Sequence, residues 1–239
     1  MERNSRSIQS VERAMLLLEA IRNLGGSARL VEIAEAAGLS KSTAHGMLDT
    51  LVSLGYLSRE RTLYSLGLRL RRLAQPLEEV EGGLREAFAP ALRAFGELTG
   101  ENCFLAVSGG VRSYLTLDAL DASGRPLSLP ADERRDALST SAVGKVFLAH
   151  DRDLAHKLRR TQPLPQALEE EIKVIRNRGF ALDLGESERE LHCLAIPLRM
   201  KGRVVAALST SAPSERLTPA FMCRLASRAM REMFELIKC

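Results

Sequence analysis

The stretch that most constrains the fold is "LSKSTAHGMLDTLVSLGYL" at positions 39–57. Its apolar residues recur at helical spacing and share one face: Ala44, Met47, Leu48 and Leu51. Ser40 stands where a helix N-cap is expected. The opposite face is polar and carries Gly46, which costs an exposed helix about 0.5–1 kcal/mol relative to Ala. The stretch therefore predicts an amphipathic helix, followed by the start of a strand.

Two helical patterns precede this helix. "SVERAMLLLEAIRNLGG" predicts a helix capped by Ser10, with an inward face made of Val11, Met15, Leu18 and Ile21. "LVEIAEAAG" predicts a second helix that ends at Gly38, only three residues before the third helix begins. After the third helix, "YLS" and "LYSL" joined by "RERT" predict a small hairpin. This order is that of a winged helix-turn-helix, which we place at residues 8–70.

The rest of the chain predicts a linker and a second domain. Residues 71–83 read as a helical linker, in which Pro76 and the pair Gly82-Gly83 should interrupt the helix. Residues 84–239 alternate strands and helices, including a hairpin through Gly109-Gly110 and a closing helix. This pattern predicts an antiparallel sheet with helices packed on it. The predicted fold class is therefore α+β, in two domains.

Charge is distributed unevenly along the chain. Residues 1–72 contain 11 Lys and Arg against 7 Asp and Glu, whereas residues 73–239 contain 23 of each, so the formal excess of +4 lies in the first third. A basic module joined to a neutral one indicates a polyanion partner for the first domain.

Composition excludes several other classes of protein. Hydrophobic residues make up 45% of the chain, and no apolar run approaches the ~18 residues of a membrane span. The first 15 residues are polar and charged, unlike a secretory signal, so we expect a cytoplasmic protein with no membrane partner. The four cysteines form no Cys-x-x-Cys pair, which argues against a zinc ribbon or a disulfide scaffold. No metal site and no cofactor are predicted.

The motifs together resemble the IclR family of bacterial transcriptional regulators. The resemblance covers nearly the whole chain, through "SVERAMLLLEAI", "LSKSTAHGMLDTLVSLGYL", "YSLGLRL", "SAVGKVFLA" and "GRVVAALSTSAPSERLTP". It implies an N-terminal winged helix that binds double-stranded operator DNA and a C-terminal GAF-like domain that binds a small effector. It also implies homodimers, often paired into homotetramers, that control a catabolic operon. Activator and repressor both remain open.

The DNA-binding residues are predicted on the polar face of the third helix and in the hairpin turn: Lys41, Ser42, Thr43, His45, Gly46, Arg59 and Arg61. A recognition helix places side chains at base edges while neighbouring basic and hydroxyl groups hold phosphates. Ser42 and Thr43 can donate to phosphates, or they can simply cap the helix. Most relatives carry an arginine where Gly46 stands and often a basic residue where Ser65 stands. Gly46 either allows close approach to DNA or marks a surface site without constraint.

The resemblance also implies the effector site. Its residues would be Ala142 and Val143, through their backbone amides, the polar pair Asp183 and Cys193, and the hydroxyls of Ser209 and Ser211. Amides at a helix start together with two hydroxyls favour an anion, so a small organic acid is the expected ligand. Ser139 stands where many relatives have histidine. Glu190 stands where they usually have glycine, and it would be strained if that position requires a positive φ.

Two other functions remain open from the sequence. One is a hydrolase built on the C-terminal domain with Cys193 or Ser209 as nucleophile. His192 and Cys193 are adjacent on a predicted strand and so point to opposite faces, which leaves neither nucleophile with a general base. The other is an interaction module whose winged helix no longer binds DNA. We expect a regulator and not an enzyme.

Overall fold

The computed structural model describes residues 8–110, 113–128, 138–161 and 163–237. The chain divides into two compact units between Val80 and Glu81. Each unit has its own hydrophobic core.

The N-terminal unit is a three-helix cluster with a small sheet. Its elements are α1 (Gln9–Asn23), β1 (Ser27–Arg29), α2 (Leu30–Ala36), α3 (Lys41–Ser53), β2 (Leu57–Glu60), β3 (Leu63–Leu66) and the first part of α4 (Leu68–Thr99). The antiparallel sheet has the order β1-β3-β2. The sequence predicted β2 and β3 but missed β1, whose three residues are too few to show a period.

The core of this unit confirms the inward face predicted for α3. Ala44, Leu48 and Leu51 are buried, and Met47 packs against them. The face predicted for α1 was right in its second half, where Ile21 is buried and Leu18 packs against the core, and wrong in its first half, where Val11 and Met15 are each 54% exposed. The buried residues of α1 are Leu17, Ala20 and Ile21. The apolar run "MLLLEAI" offers two helical faces, and tertiary packing selects the second. The helix also begins at Gln9, so Ser10 lies inside it and is not its cap.

The helix α4 is continuous from Leu68 to Thr99, so the predicted interruptions at Pro76 and Gly82-Gly83 were wrong. A proline inside a helix removes one hydrogen bond, here to the carbonyl of Arg72. Pro76, Arg72 and both glycines are exposed, so water can satisfy the groups that the helix leaves free.

The C-terminal unit is built on a five-stranded antiparallel sheet of order β5-β4-β8-β7-β6. Its elements, after the end of α4, are β4 (Asn102–Ser108), β5 (Tyr114–Leu120), α5 (Ala142–His150), α6 (Arg152–Thr161), α7 (Gln166–Arg178), β6 (Ala181–Leu184), β7 (Leu191–Met200), β8 (Arg203–Pro213) and α8 (Pro219–Glu232). The turn residues 111–112 of the predicted first hairpin lie outside the described residues. The predicted α+β class is confirmed.

Helices cover both faces of this sheet. The leucines and isoleucines of β7 and β8 face one side and pack on α4 and α8. The other side carries small residues, Ala106, Ala181, Ala195 and Ala207, over which α5, α6 and α7 pack. Because the floor consists of alanines, α5 lies close to the sheet, and all but one of its nine residues are buried. Within the described residues, no helix is long and apolar enough to cross a membrane.

Candidate nucleic-acid interface and ligand site

The start of α3 is held by a network of hydroxyl groups. Ser40 caps the helix, since its Oγ accepts the Thr43 N–H at 3.2 Å, as predicted. The same Oγ lies 3.1 Å from Ser42 Oγ and 2.9 Å from Thr43 Oγ1. Both hydroxyls predicted to meet phosphates therefore also belong to the cap. Each retains lone pairs or a rotatable proton for a further partner.

The exposed face of α3 carries Lys41, His45 and Gly46, as the sequence predicted. It also carries Asp49, whose Oδ2 lies 3.2 Å from Nδ1 of His45 one turn earlier. A Cβ added at Gly46 would meet no atom of its surroundings within 4 Å, and its φ is not positive. Nothing in the folded unit therefore requires glycine at this position.

The hairpin turn lies beside this face, because Arg59 reaches α3. Arg59 Nη1 is 3.4 Å from Asp49 Oδ1, its Nε donates to the carbonyl oxygen of Arg61 at 3.2 Å, and its guanidinium stacks 5.0 Å above the Tyr64 ring. The structure thus brings Arg59 and His45 together through Asp49. Arg61 joins this group only through its carbonyl oxygen, and the Lys41 side chain makes no contact with it among the described residues. Arg61 adopts a φ of 55°, which makes the two-residue turn possible.

Ser65, where a basic residue was expected, has a structural role. Its hydroxyl donates to Ser27 Oγ at 2.9 Å, across the paired strands β3 and β1.

In the C-terminal unit, strand register assembles the predicted polar residues into a row. Asp183 pairs with Cys193, Cys193 with Ser211, and Ser211 with Asn102. Paired residues share a face and lie about 5 Å apart, so the four side chains form a line about 15 Å long under α5. Ser209 lies on the same face, two residues from Ser211 and paired with Phe104. Asn102 was missed, because its place in the row depends on a register that the sequence does not show.

The start of α5 borders the same face. Ser141 caps this helix by accepting the Gly144 N–H at 3.0 Å. Ala142 and Val143 are 1% and 4% exposed. In the part of the chain that the structure describes, their backbone N–H groups have no acceptor. Buried amides without an acceptor are rare and favour a ligand or water.

Asp183 is fully buried, and the loop after β6 uses both of its carboxylate oxygens. Oδ1 accepts the backbone N–H groups of Glu186 at 2.8 Å and Ser187 at 3.3 Å, and Oδ2 accepts the Ser187 hydroxyl. A ligand that binds Asp183 must share these oxygens. Glu190, at the end of this loop, does not adopt a positive φ, so the strain considered for it is absent.

Lys145 is a further notable residue of α5 that sequence reasoning missed. It is fully buried, and its Nζ lies 3.0 Å from Glu171 Oε2, 2.5 Å from Glu186 Oε1 and 3.4 Å from the carbonyl oxygen of Leu182. A lysine within the apolar run "AVGKVFLA" was the available signal, since a buried lysine requires anionic partners. It fastens the loop that Asp183 organises to α5 and α7.

A cavity of about 530 Å³ lies at the outer side of this ion group. It is lined by Ser139, Thr140, Pro163, Leu164, Pro165, Ala167, Leu168, Glu171 and Glu186. None of the six predicted effector residues lines it. Glu171 and Glu186 lie in its wall, and Lys145 compensates only one of their two negative charges, so the wall opposes the binding of an anion. The polar row, and not this cavity, therefore has the chemistry expected for an organic acid.

The geometry disfavours a nucleophile and base pair at Cys193. His192 Nδ1 lies 2.8 Å from the carbonyl oxygen of Leu217, and, as strand neighbours, the two side chains point to opposite faces of β7. Among the described residues there is no group of three His, Cys, Asp or Glu that could hold a metal ion.

Two family models match the chain. The IclR helix-turn-helix domain matches residues 10–61, and the C-terminal domain of the bacterial transcriptional regulator IclR matches residues 80–231. The HTH-type transcriptional regulator BhcR of Paracoccus denitrificans is 30% identical over 98% of this chain and 88% of its own. The glycerol operon regulatory protein of Streptomyces griseus is 34% identical over 90% of this chain and 89% of its own.

Solved structures show the same fold. An IclR homolog from Microbacterium hydrocarbonoxydans, complexed with 4-hydroxybenzoate, has a TM-score of 0.66 and 24% identity, over 95% of this chain and 98% of its own. A putative IclR regulator from Silicibacter has a TM-score of 0.69 and 24% identity, over 95% and 94%. From both the fold and the family models, the chain belongs to the IclR family of bacterial transcriptional regulators.

Proposed function

We propose that this regulator binds operator DNA through α3 and the β2–β3 hairpin, and that a small organic acid in the C-terminal unit changes this binding. The regulated genes would be a catabolic operon, and the protein would act in the cytoplasm. The observation that carries the proposal is the pair of buried amides of Ala142 and Val143, which have no acceptor among the described residues. They lie beside a row of polar side chains, in a chain whose first 72 residues hold the formal excess of positive charge.

The N-terminal unit supports DNA binding through its charge and shape. Residues 1–72 hold the whole formal excess of positive charge, and Lys41, His45 and Arg59 lie on or beside the exposed face of α3. A helix of 13 residues with one polar face fits the major groove, and a neighbouring hairpin can reach the backbone.

The polar row supports an anionic ligand. The two amides at the start of α5 favour negative charge. Among the described residues, the hydroxyls of Ser209 and Ser211 have no hydrogen-bond partner, so they are available to donate to a ligand. Phe104, which is partly exposed on the same face, offers an apolar wall.

The protein would assemble at least as a homodimer. Val11 and Met15 on α1, and Ile8 just before it, are exposed by 54% or more. On the part of α4 that lies in the N-terminal unit, Leu73 and Val80 are 60% and 61% exposed, and Leu70, Leu73, Leu77 and Val80 follow a 3-4-3 spacing. Such a repeat is typical of a helix that pairs with another helix.

Binding-site selection tests the DNA part of this proposal. The full chain is used to enrich duplexes with a randomised central sequence, and the affinity of the enriched duplex is then measured as a function of salt. We expect one enriched motif, and an affinity that falls about 0.9 log units per log unit of salt for each phosphate that the protein neutralises. If no motif is enriched while the protein is folded, the winged helix is an interaction module.

Calorimetric titration of the full chain tests the effector part. The probes are small carboxylic acids, with 4-hydroxybenzoate among them, and each neutral amide analogue serves as a control. Removal of a hydrogen bond to a charged group costs ~1.5–3 kcal/mol, so we expect Ser209→Ala to weaken binding about 10- to 100-fold. Ser227→Ala removes a hydroxyl that bonds to Cys223 on α8, and it should leave the affinity unchanged. Equal affinity for an acid and its amide would reject an anion site, and turnover of a probe would indicate an enzyme.

A further inference from the structure

We infer that Asp49 is a positioning residue that determines sequence discrimination in DNA binding, by holding Arg59 of the hairpin and His45 of α3 in one fixed arrangement. The inference rests on the proposed DNA binding. Asp49 is negatively charged, although it lies on a face proposed to bind the negatively charged DNA backbone. The inference explains why a negative charge is present there.

Asp49 is the point where the helix and the hairpin meet. Oδ2 contacts His45 Nδ1 at 3.2 Å, while Oδ1 contacts Arg59 Nη1 at 3.4 Å and the Tyr64 hydroxyl at 3.5 Å. The Asp49 side chain is 47% exposed, so it lies at the surface of the helix face and is not a core residue. One carboxylate of α3 thus contacts an arginine of β2 that lies ten residues later in the sequence.

Tyr64 provides a rigid support for this group. The residue is 1% exposed. Burial raises the pKa of its hydroxyl, and the negative charge of Asp49 adds to this effect while Arg59 opposes it. The hydroxyl therefore stays protonated and remains a donor to Asp49. Its ring lies under the Arg59 guanidinium, which restricts the plane of that group.

The contacts leave part of Arg59 free to bind DNA. A guanidinium has about five N–H donors. Here, Nε donates to the Arg61 carbonyl oxygen and Nη1 contacts Asp49, and Nη2 has no partner among the described residues. A mobile arginine binds any phosphate within reach, whereas an arginine held in one plane favours the geometry of one partner.

The negative charge of Asp49 also favours discrimination between DNA sequences. A carboxylate on the helix face repels every duplex to a similar degree, because phosphates are present in all of them. A correct sequence compensates through the contacts of the fixed arginine and histidine, and an incorrect sequence does not. Asp49 therefore lowers the affinity for DNA in general and preserves the affinity for the correct site.

The test compares Asp49→Asn with Glu60→Gln in the full chain. Glu60 is an exposed carboxylate at the end of β2, and it forms no ion pair within the described part of the chain. Both variants remove one negative charge near the hairpin. Each protein undergoes selection from the duplex pool with a randomised centre, followed by titration of the wild-type motif and of a scrambled duplex at equal salt.

We expect Asp49→Asn to bind the scrambled duplex more tightly and to lower the ratio of specific to non-specific affinity about tenfold, with reduced preference at one or two positions of the motif. Glu60→Gln should raise both affinities and keep the ratio. Tyr64→Phe removes only the hydroxyl that supports Asp49 and should lower the ratio by a smaller factor. Partial unfolding would lower both affinities equally and leave the ratio unchanged.

The outcomes separate the inference from the function on which it rests. If the wild-type chain enriches no motif, DNA binding itself is rejected. If the wild-type chain enriches a motif and Asp49→Asn enriches the same one with an unchanged ratio, then Asp49 has no role in discrimination and the inference is overturned.

Discussion

Gly46 shows how one residue can be unfavourable for folding and remain compatible with the structure. It lies on the exposed face of α3, and its carbonyl accepts the Thr50 hydroxyl at 2.8 Å. Open space surrounds the position of an added Cβ. The reason for a glycine is therefore absent from the folded unit and, if there is one, lies in what α3 binds.

We predict that Gly46→Ala raises the free energy of unfolding by about 0.5–1 kcal/mol, because alanine loses less backbone entropy in a helix. Urea unfolding measures the change. Titration of the enriched duplex with the same variant distinguishes the two interpretations. Weaker DNA binding by a more stable protein would mean that close approach requires glycine, and unchanged binding would mean that the site has no such constraint. A drop in stability would contradict the open surroundings.

His150 is a partly buried histidine whose surroundings oppose its protonation. Its Nε2 atom is buried without a hydrogen-bond partner among the described residues, and Arg199 Nη2 lies 3.4 Å from its Nδ1. Burial, together with the charges of Arg199 and Arg176, lowers the pKa of His150 to about 4, from an ordinary value of 6.5.

Because the folded state resists protonation of His150, the unfolded state takes up a proton first as the pH falls. We therefore predict that its contribution to stability is lost between about pH 6.5 and pH 4, by about 2 kcal/mol after allowance for partial exposure. His150→Asn should lack this part of the loss. Urea midpoints at neutral and acidic pH measure both proteins, and an identical acid response would show that His150 is not the cause.

At the scale of elements, α4 shows that proline and paired glycines do not always interrupt a helix. Pro76 and the two glycines are helix breakers by composition, yet the helix continues through all of them. Their exposure allows water to satisfy the groups that the helix leaves free. The proline and the glycines still destabilise the helix, although they do not interrupt it.

We predict that Pro76→Ala stabilises the chain by about 1–3 kcal/mol, because it restores the hydrogen bond to the Arg72 carbonyl and removes the clash of the proline ring. Thermal unfolding measures this effect. Glu78→Ala, two residues away on an exposed position of the same helix, is the control and should change stability by at most about 0.5 kcal/mol. No gain from Pro76→Ala would mean that α4 already compensates for the proline.

Elements whose hydrophobic period is unambiguous could be predicted from the sequence, and the others could not. The apolar residues of α3 form one stripe, and its buried face matched. Those of α1 form two, and the choice between them is made by α2, α3 and the small sheet. In the C-terminal unit the sequence placed Asp183, Cys193 and Ser211 on strands, but the addition of Asn102 required the register of four strands. Lys145 was missed because its partners, Glu171 and Glu186, come from distant segments.

At the scale of the whole molecule, exposed apolar side chains mark the surface through which the proposed homodimer would form. Val11 and Met15 on α1, and Leu73 and Val80 on α4, are each more than half exposed. Leucine and valine side chains that stay exposed in a single chain contribute no burial free energy to its folding. Burial of the same side chains between two paired helices would stabilise the pair.

We predict that Leu73→Glu lowers the mass of the particle in solution, because a charged side chain within a buried helix pair is costly. Light scattering coupled to size-exclusion chromatography measures the mass. Gln75→Glu adds the same charge at an exposed position of α4 that is outside the 3-4 pattern, and it should leave the mass unchanged. A wild-type mass equal to that of one chain would reject the homodimer.

The use of both Asp183 oxygens by its own loop has a consequence for deuterium uptake. The amide protons of Glu186 and Ser187 are held by this carboxylate, so they should exchange slowly, although their loop is partly exposed. Ligands generally slow exchange at the residues that they touch. An effector that donates hydrogen bonds to Asp183 would displace these two amides. Their exchange would then become faster upon binding, while the amides of Ala142 and Val143 become protected.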